Sequence, residues 1–331
     1  MKTPLILCVF LVFVSCYSDL DIMQDYPTIP VVYAAINPYD SVHYVRVQKT
    51  FSIYTKEDIL ALSSDSLQFE YVDVSLIGKA DDSIKWVKKF SKATGLRDSG
   101  FFPVEGFEYY KLESFLPMKL DHNFNPDIDS LILKVKIHDL DIVTKAIVPI
   151  MKPGYLNPNP RGTLIRFYHE YSSKFSLPVG GKNECANSME NCYQQIEISV
   201  HFKEYYEDSF AIKKVSWFSG SGWNQGWYRL TPTRLFNNMK ALLPNDDIIL
   251  ARTLDSIDVA IYRPNRIFSE YWFVREYWEN SDRPPFSNFD NSYGLFFTYK
   301  IGKQTGFRLE RRTLDSLCNG YYYKEMKFKP W

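Results

Sequence analysis

The sequence predicts a mainly β fold of two antiparallel β-sandwich-like domains, the second with one packed α-helix. Aromatic residues form 17% of the 331 residues, with 24 Tyr and 24 Phe, and both residue types favour strands. Short segments that alternate apolar and polar residues follow one another between turn residues, as they do in antiparallel sandwiches. Ala-rich and Leu-rich segments, which favour helices, are scarce.

The chain begins with a predicted signal peptide and lipid-attachment site. Leu5–Val14 is a run of ten apolar residues after a basic start, and small Ser15 precedes Cys16. Ten helical residues rise only about 15 Å, half the roughly 30 Å hydrocarbon core, so the run cannot span a membrane. We expect residues 1–15 to be removed and Cys16 to carry lipid, with residues 16–29 as a tether. An ordinary signal peptide cleaved nearby is the alternative.

Residues 30–151 are predicted to form the N-terminal sandwich-like domain. Val31–Ile36 and Val42–Phe51 flank an Asn-Pro-Tyr-Asp turn, which predicts a β-hairpin. Further strands are expected over Phe69–Ile77 and Leu131–His138. In the last strand one face is wholly apolar and consists of Leu131, Leu133, Val135 and Ile137.

Residues 152–162 are the predicted linker between the domains, because three Pro, two Gly and two Asn stand in eleven residues. The C-terminal β-rich domain then covers residues 163–331. Its long strand Ile196–Glu204 places every second apolar residue on one face, and Phe210–Phe218 is expected to pair with it.

One helix is predicted in the C-terminal domain, near residues 232–243. Thr231 suits the N-cap and Pro232 suits the first helical position. After this helix the pattern predicts strands again, including Glu270–Trp278 and a final stretch at Phe307–Leu317.

Two cysteines in one polar loop, Cys185 and Cys192, are predicted to form a disulfide in an oxidising compartment. So short a closed loop would gain roughly 2–3 kcal/mol of stability. Two free thiols are the alternative, and a metal site is disfavoured because no second Cys or His pair stands near. Cys318 is left over and is expected to be a buried free thiol.

Composition and motifs exclude several classes of function. The 39 basic and 39 acidic residues balance, so the concentrated basic face that binds nucleic acid is not expected. The sequence contains no P-loop, no dinucleotide-binding glycine pattern, and no GxSxG, SxxK or HExxH motif. We therefore assign no catalytic residue, no metal and no cofactor.

Two sets of acidic residues are candidates for a metal site or a catalytic site. Residues 121–129 place oxygen-bearing side chains at alternate positions, but Pro126 and Ile132 stand where a calcium loop needs Gly and Glu, so a turn is favoured. A hydrolase remains the weakest hypothesis, since nothing in the sequence fixes the separation of the carboxylates that lie near aromatic residues, namely Glu270, Glu276 and Glu279.

The candidate ligand-binding residues are Trp223, Trp227 and Tyr228. They lie in the stretch 219–228, which holds three Gly and reads as a flexible loop. Exposed indole rings there would stack on a sugar ring or on a partner surface. The alternative is that both tryptophans pack onto the core.

The chain resembles a family of Bacteroidota cell-envelope lipoproteins of unknown function. The resemblance rests on the lipobox at Cys16 and on PVVYAAINPYDSVHYVRVQKTF at residues 30–51. It also rests on RPPFSNFDNSYGLFFTYKIGK at residues 283–303 and RTLDSL at residues 312–317. The polar, acidic residues 17–21 resemble the surface-export signals of such lipoproteins. The resemblance implies an envelope lipoprotein and brings no active site with it.

The sequence therefore predicts a non-enzymatic lipoprotein, anchored by its N-terminal lipid in the outer membrane on the periplasmic or cell-surface side. We expect it to bind an envelope protein partner or to organise the envelope. A surface glycan-binding module that uses the Trp223–Trp227 loop is the alternative, and no nucleic-acid partner is expected.

Overall fold

The structure is a computed structural model, and a mainly β fold is confirmed. The structure describes residues 28–50, 67–95, 107–122, 125–151, 164–167, 175–178, 193–223, 227–277 and 286–330. Within these ranges only the backbone is described for residues 175–178, 220–223, 227–229 and 276–277.

Fifteen strands and three α-helices lie in the described residues. The strands are β1 (Pro30–Ile36), β2 (Val42–Lys49), β3 (Val72–Ala80), β4 (Ser83–Lys89), β5 (Ser91–Gly95), β6 (Phe107–Glu113), β7 (Ser130–Ile137), β8 (Ile142–Pro149), β9 (Leu164–Ile165), β10 (Phe175–Pro178), β11 (Tyr193–Tyr205), β12 (Phe210–Trp223), β13 (Trp227–Leu230), β14 (Ala251–Pro264) and β15 (Tyr293–Leu309). The helices are α1 (Pro232–Leu242), α2 (Arg266–Tyr277) and α3 (Arg311–Asn319).

A nine-stranded sheet joins the two halves of the chain. Its strand order is β12-β11-β14-β15-β1-β2-β6-β5, with β9 pairing beside the end of β15. A four-stranded antiparallel sheet has the order β4-β3-β7-β8, and β10 pairs with β13. The sheets do not divide at the predicted linker, residues 152–162, because strands from both sides of it share the large sheet. The linker itself lies outside the described residues.

The two halves meet where β1 runs parallel to β15, with Val31 opposite Tyr293 and Ile36 opposite Thr298. Gly294 makes this approach possible. Its φ is +132°, and a Cβ atom there would lie 1.8 Å from the carbonyl oxygen of Val32. Only glycine tolerates both conditions.

Two hydrophobic clusters lie against one face of the large sheet. The N-terminal cluster fills the space between this sheet and the four-stranded sheet, and the predicted apolar face of β7 is fully buried in it, at Leu131, Leu133, Val135 and Ile137. The C-terminal cluster packs β11 and β14 against α1 and α3, and it includes the predicted face of β11, at Ile196, Ile198, Val200 and Phe202. The predicted hairpin of β1 and β2 and the pairing of β11 with β12 are also confirmed.

The predicted helix is confirmed as α1. The Thr231 hydroxyl accepts a hydrogen bond from the Arg234 N–H at 3.3 Å, and Pro232 is the first helical residue. The prediction of a strand at Glu270–Trp278 is wrong, because residues through Tyr277 belong to α2. Its aromatic residues favour strands locally, but the helix lets them pack on the sheet.

The third helix, α3, occupies most of the stretch that was expected to be the strand Phe307–Leu317. The Glu310 side chain caps it by accepting from the Arg312 N–H at 3.0 Å. Its apolar side buries Leu317 and the free thiol of Cys318, which confirms that prediction. Burial raises the pKa of the Cys318 thiol to about 11, so this thiol stays protonated.

Candidate functional site

Several predicted site residues lie outside the described part of the chain. These are the lipidation site Cys16 and the predicted disulfide partners Cys185 and Cys192. Lipidation and the disulfide therefore stay predictions.

The stretch predicted as a flexible aromatic loop is largely strand. Trp223 ends β12 opposite Tyr193, and Trp227 and Tyr228 begin β13. The loop prediction is therefore wrong for these positions, because β12 continues through both glycines that precede Trp223. The side chains of Trp223, Trp227 and Tyr228 are not described, so their role in binding stays a prediction.

The acidic stretch at residues 121–129 has the hydrogen bonds of a turn. The Asp121 carboxylate accepts from the backbone N–H and the side-chain amide of Asn125, at 2.7 and 2.9 Å. The Asp127 carboxylate accepts from the Lys119 N–H at 2.8 Å. In the described residues no three His, Cys, Asp or Glu side chains group in a way that could hold a metal ion.

The carboxylates considered for hydrolysis do not form a described pair. Glu270 lies on α2 and pairs with Arg266 at 2.6 Å on the helix surface. The side chain of Glu276 and the whole of Glu279 lie outside the description.

The structure brings together a different group, which the sequence analysis did not identify. An open groove of about 640 Å³ lies on the large sheet, on the face opposite the hydrophobic clusters. Six aromatic side chains line it: Tyr33, Tyr44, Phe107, Tyr109, Phe297 and Tyr299.

Strand alternation places these rings on the open face. In β1 the side chains of Val32, Ala34 and Ile36 enter the N-terminal cluster, so Tyr33 and Ala35 point the other way. Tyr33 is 48% exposed and Tyr44 is 51% exposed.

Ala35, an exposed residue with a small side chain, lines the groove. This residue lies opposite Tyr44 on β2 and opposite Phe297 on β15. A methyl group therefore stands between two rings, and it leaves a depression that a ligand group could enter. Phe297 is also covered from the α2 side by Phe268, whose ring centroid lies 4.6 Å away.

At one end of the groove the rings contact one another on β2 and β6. Tyr109 lies 5.7 Å from Tyr44 in an edge-to-face contact and 5.5 Å from Phe107, with an angle of 35° between the latter two planes. The guanidinium carbon of Arg46 lies 5.9 Å from the centre of the Phe107 ring. This distance is in the range of a cation–π interaction.

Beyond Ala35 the rings continue towards the opposite edge of the sheet. Phe297 lies 6.3 Å from Tyr299, and Tyr299 lies 6.2 Å from Tyr262 at an angle of 33°. Tyr262 in turn lies 5.9 Å from Phe218 on the edge strand β12. We call the resulting series the aromatic band, which consists of Phe107, Tyr109, Tyr44, Phe297, Tyr299, Tyr262 and Phe218.

Two phenol groups of the band, those of Tyr299 and Tyr262, have raised pKa values. Burial raises the pKa of Tyr299. Burial, followed by the hydrogen bond to Glu197, raises the pKa of Tyr262. The Tyr262 hydroxyl donates to the Glu197 carboxylate at 2.5 Å. Neutral phenols both donate and accept hydrogen bonds, so the band offers polar contacts beside its ring faces.

An ionic cluster lies further along the same face. The Asp258 carboxylate contacts His201 at 3.1 Å and Lys303 at 3.2 Å, and it accepts from the Gly306 N–H at 3.1 Å. Burial alone would raise the pKa of Asp258, but these three partners lower it below its usual value. Because they hold Asp258 beside the irregular pairing of β14 with β15, we assign the cluster a structural role.

The groove is lined mainly by aromatic and small apolar side chains. Among its described lining residues Arg46 is the one charged side chain, and four tyrosines supply hydroxyl groups. The sequence signal for the groove was present in the alternating aromatics of FEYY at residues 107–110 and FFTY at residues 296–299, which the sequence analysis used only as an indication of strands.

Among the described residues no helix is both long enough and apolar enough to cross a membrane. A scan against protein-family models matches no family, and a search of curated proteins finds no significant match.

Proposed function

We propose that this chain is a non-enzymatic lipoprotein of the cell envelope that binds an external partner through the aromatic band. The observation that carries the proposal is the open groove of about 640 Å³, which is lined by six aromatic side chains on the face opposite the core.

The exposure of these rings supports binding. Aromatic residues are enriched in the centres of protein interfaces relative to the rest of the surface. Tyrosine and arginine are also enriched among residues that dominate binding energy. The groove contains these residue types, because Tyr33 and Tyr44 are half-exposed and Arg46 lies near them on β2.

The N-terminal sequence supports the anchoring part of the proposal. Two or three acyl chains on Cys16 would hold the protein firmly, since each buried CH₂ contributes roughly 0.8 kcal/mol. A tether over residues 16–29 reaches at most roughly 50 Å when fully extended. The sheet would then lie close to the outer membrane. Replacing Cys16 with Ser should move the protein from the membrane to the soluble fraction, and continued membrane retention would disprove lipid anchoring.

The same compartment would oxidise the cysteine pair. We expect non-reducing peptide mapping of the protein from its native envelope to find Cys185 and Cys192 as one linked species. Full alkylation of both thiols without prior reduction would remove the disulfide from the proposal.

Binding through the band can be tested in cells with a photo-cross-linking amino acid. We would place benzoylphenylalanine at position 44 in the groove and, as a matched control, at position 71. Tyr71 is 62% exposed but precedes β3 of the other sheet. The proposal predicts a discrete adduct from position 44 that is absent from position 71. No adduct from position 44, or the same products from both positions, would contradict it.

A further inference from the structure

We propose that the aromatic band is a binding site for a neutral, unbranched oligosaccharide chain that lies across the strands. This inference rests on the proposed function, and it names the chemical class of the ligand.

The shape of the band indicates an elongated ligand. Its rings occur on β6, β2, β15, β14 and β12, and the strand order places β1 and β11 within the same series. Six inter-strand spacings of about 4.8 Å give a band roughly 30 Å long. A compact ligand would use a small part of this length, whereas a linear chain of several rings would use all of it.

The ring geometry favours stacking on flat ligand units. Phe107 and Tyr109 are inclined by 35°, and Tyr299 and Tyr262 by 33°. Tyr299 and Tyr262 lie on neighbouring strands, so their centroid separation of 6.2 Å runs across the strands, whereas Phe107 and Tyr109, 5.5 Å apart, follow one another along β6. The apolar C–H face of a pyranose ring packs on an aromatic ring face.

The polar groups of the band match a ligand that is rich in hydroxyl groups. The hydroxyl groups of its tyrosines can donate and accept hydrogen bonds, and the Tyr262 hydroxyl donates to the Glu197 carboxylate. Sugar hydroxyls donate and accept in the same way. An extended polypeptide that binds to a sheet forms its backbone hydrogen bonds mainly at a sheet edge, where the N–H and C=O groups of the edge strand are unpaired. The band instead lies on a sheet face, where backbone groups are already paired.

The charges along the band favour a neutral chain. Arg46 lies at the β2 side and Glu197 lies at the β11 side. A strongly acidic ligand would be attracted by Arg46 and repelled by Glu197, and a strongly basic ligand would experience the reverse. A charged ligand of either sign therefore gains no net attraction along the full length of the band.

The test uses the full mature chain carrying Cys16→Ser and isothermal titration with linear neutral oligosaccharides. The probes are cello-, xylo-, malto-, manno- and laminari-oligosaccharide series of increasing length. The proposal predicts that at least one series binds, and that its affinity rises with length until the chain covers the band. Tyr44→Ala should weaken binding by about tenfold or more.

Two further variants separate stacking from other effects. Phe218→Ala, at the far end of the band, should weaken only the longer members of the series. Tyr322→Ala is the control, since Tyr322 is 71% exposed and lies outside the band, and it should leave affinity unchanged. Thermal unfolding of each variant verifies that it remains folded.

Two results would overturn the inference. The first is that no series binds; the second is that binding occurs but is insensitive to Tyr44→Ala in a folded variant. If no series binds while position 44 cross-links a protein in cells, the oligosaccharide inference fails and the proposed binding function stands. If no oligosaccharide series binds and position 44 gives no cross-linked adduct in cells, the proposed binding function fails as well.

Discussion

Removing the guanidinium of Arg252 should destabilise the fold more than most single substitutions. Arg252 is 1% exposed and Glu204 is 3% exposed. The Arg252 Nε donates to the Glu204 carboxylate at 2.9 Å, and its two terminal nitrogens donate to the carbonyl oxygens of Met326 and Pro244 at 2.9 and 2.7 Å. The side chain therefore ties β11 and β14 to the end of the chain.

The magnitude follows from what the substitution leaves behind. Arg252→Met keeps most of the volume but leaves the Glu204 carboxylate buried, with the Tyr206 hydroxyl at 3.0 Å as its remaining described partner. Breaking a buried ion pair from one side typically costs about 3–5 kcal/mol. That is a large part of the roughly 5–15 kcal/mol by which a domain is stable.

Urea denaturation of the Cys16→Ser protein measures this change as a shift of the midpoint at constant slope. The matched control is the double variant Arg252→Met with Glu204→Leu, which removes both charges and should recover a large part of the loss. A loss below about 0.5 kcal/mol for Arg252→Met, or no recovery in the double variant, would refute this account of the buried pair.

Three further predictions concern stability and are measured by urea denaturation. Burial lowers the pKa of His43 below 6.5, so the unfolded chain takes up a proton there before the folded protein does, and stability falls as pH falls through 6.5. His43→Leu should make that loss smaller, and an unchanged pH profile would contradict it. Thr231→Ala removes the N-cap of α1 and should cost about 1 kcal/mol, whereas Thr231→Ser should cost clearly less. Gly294→Ala should cost more than about 3 kcal/mol, since its Cβ atom meets the backbone of β1; a wild-type midpoint would contradict the parallel pairing.

The sequence analysis succeeded where structure depends on local pattern. The apolar faces of β7 and β11 follow from strict alternation, so their buried residues could be read from the sequence. The start of α1 could also be predicted, because Thr231 and Pro232 act within one turn of the helix.

It failed where structure depends on distant contacts. The aromatic residues of α2 favour a strand by local propensity, and their helical state is supported by packing such as that of Phe268 on Phe297. The parallel pairing of β1 with β15 joins segments about 260 residues apart, as Val31 with Tyr293 illustrates, and no local pattern specifies such a pairing.

In the candidate site too, the local sequence pattern indicates the strands but does not indicate which strands are neighbours. The alternating aromatic residues Phe107 and Tyr109 indicate a strand at β6, but their alignment with Tyr44 into one band depends on the order of strands in the sheet. The glycines around Trp223 and Trp227 single these residues out in the sequence, whereas Tyr33 and Tyr44 lie in regular strands without such a signal.

Hydroxyl-radical footprinting tests most directly whether the open aromatic face is the binding surface. Oxidation of Tyr33 and Tyr44 would be compared between the purified Cys16→Ser protein and the wild-type protein in intact envelopes, with Tyr71 as the internal reference. We predict that Tyr33 and Tyr44 react readily in the purified protein and are protected in the envelope, while Tyr71 reacts equally in both. Equal oxidation of Tyr33 and Tyr44 in the two preparations would contradict the proposal that this face is occupied by a partner.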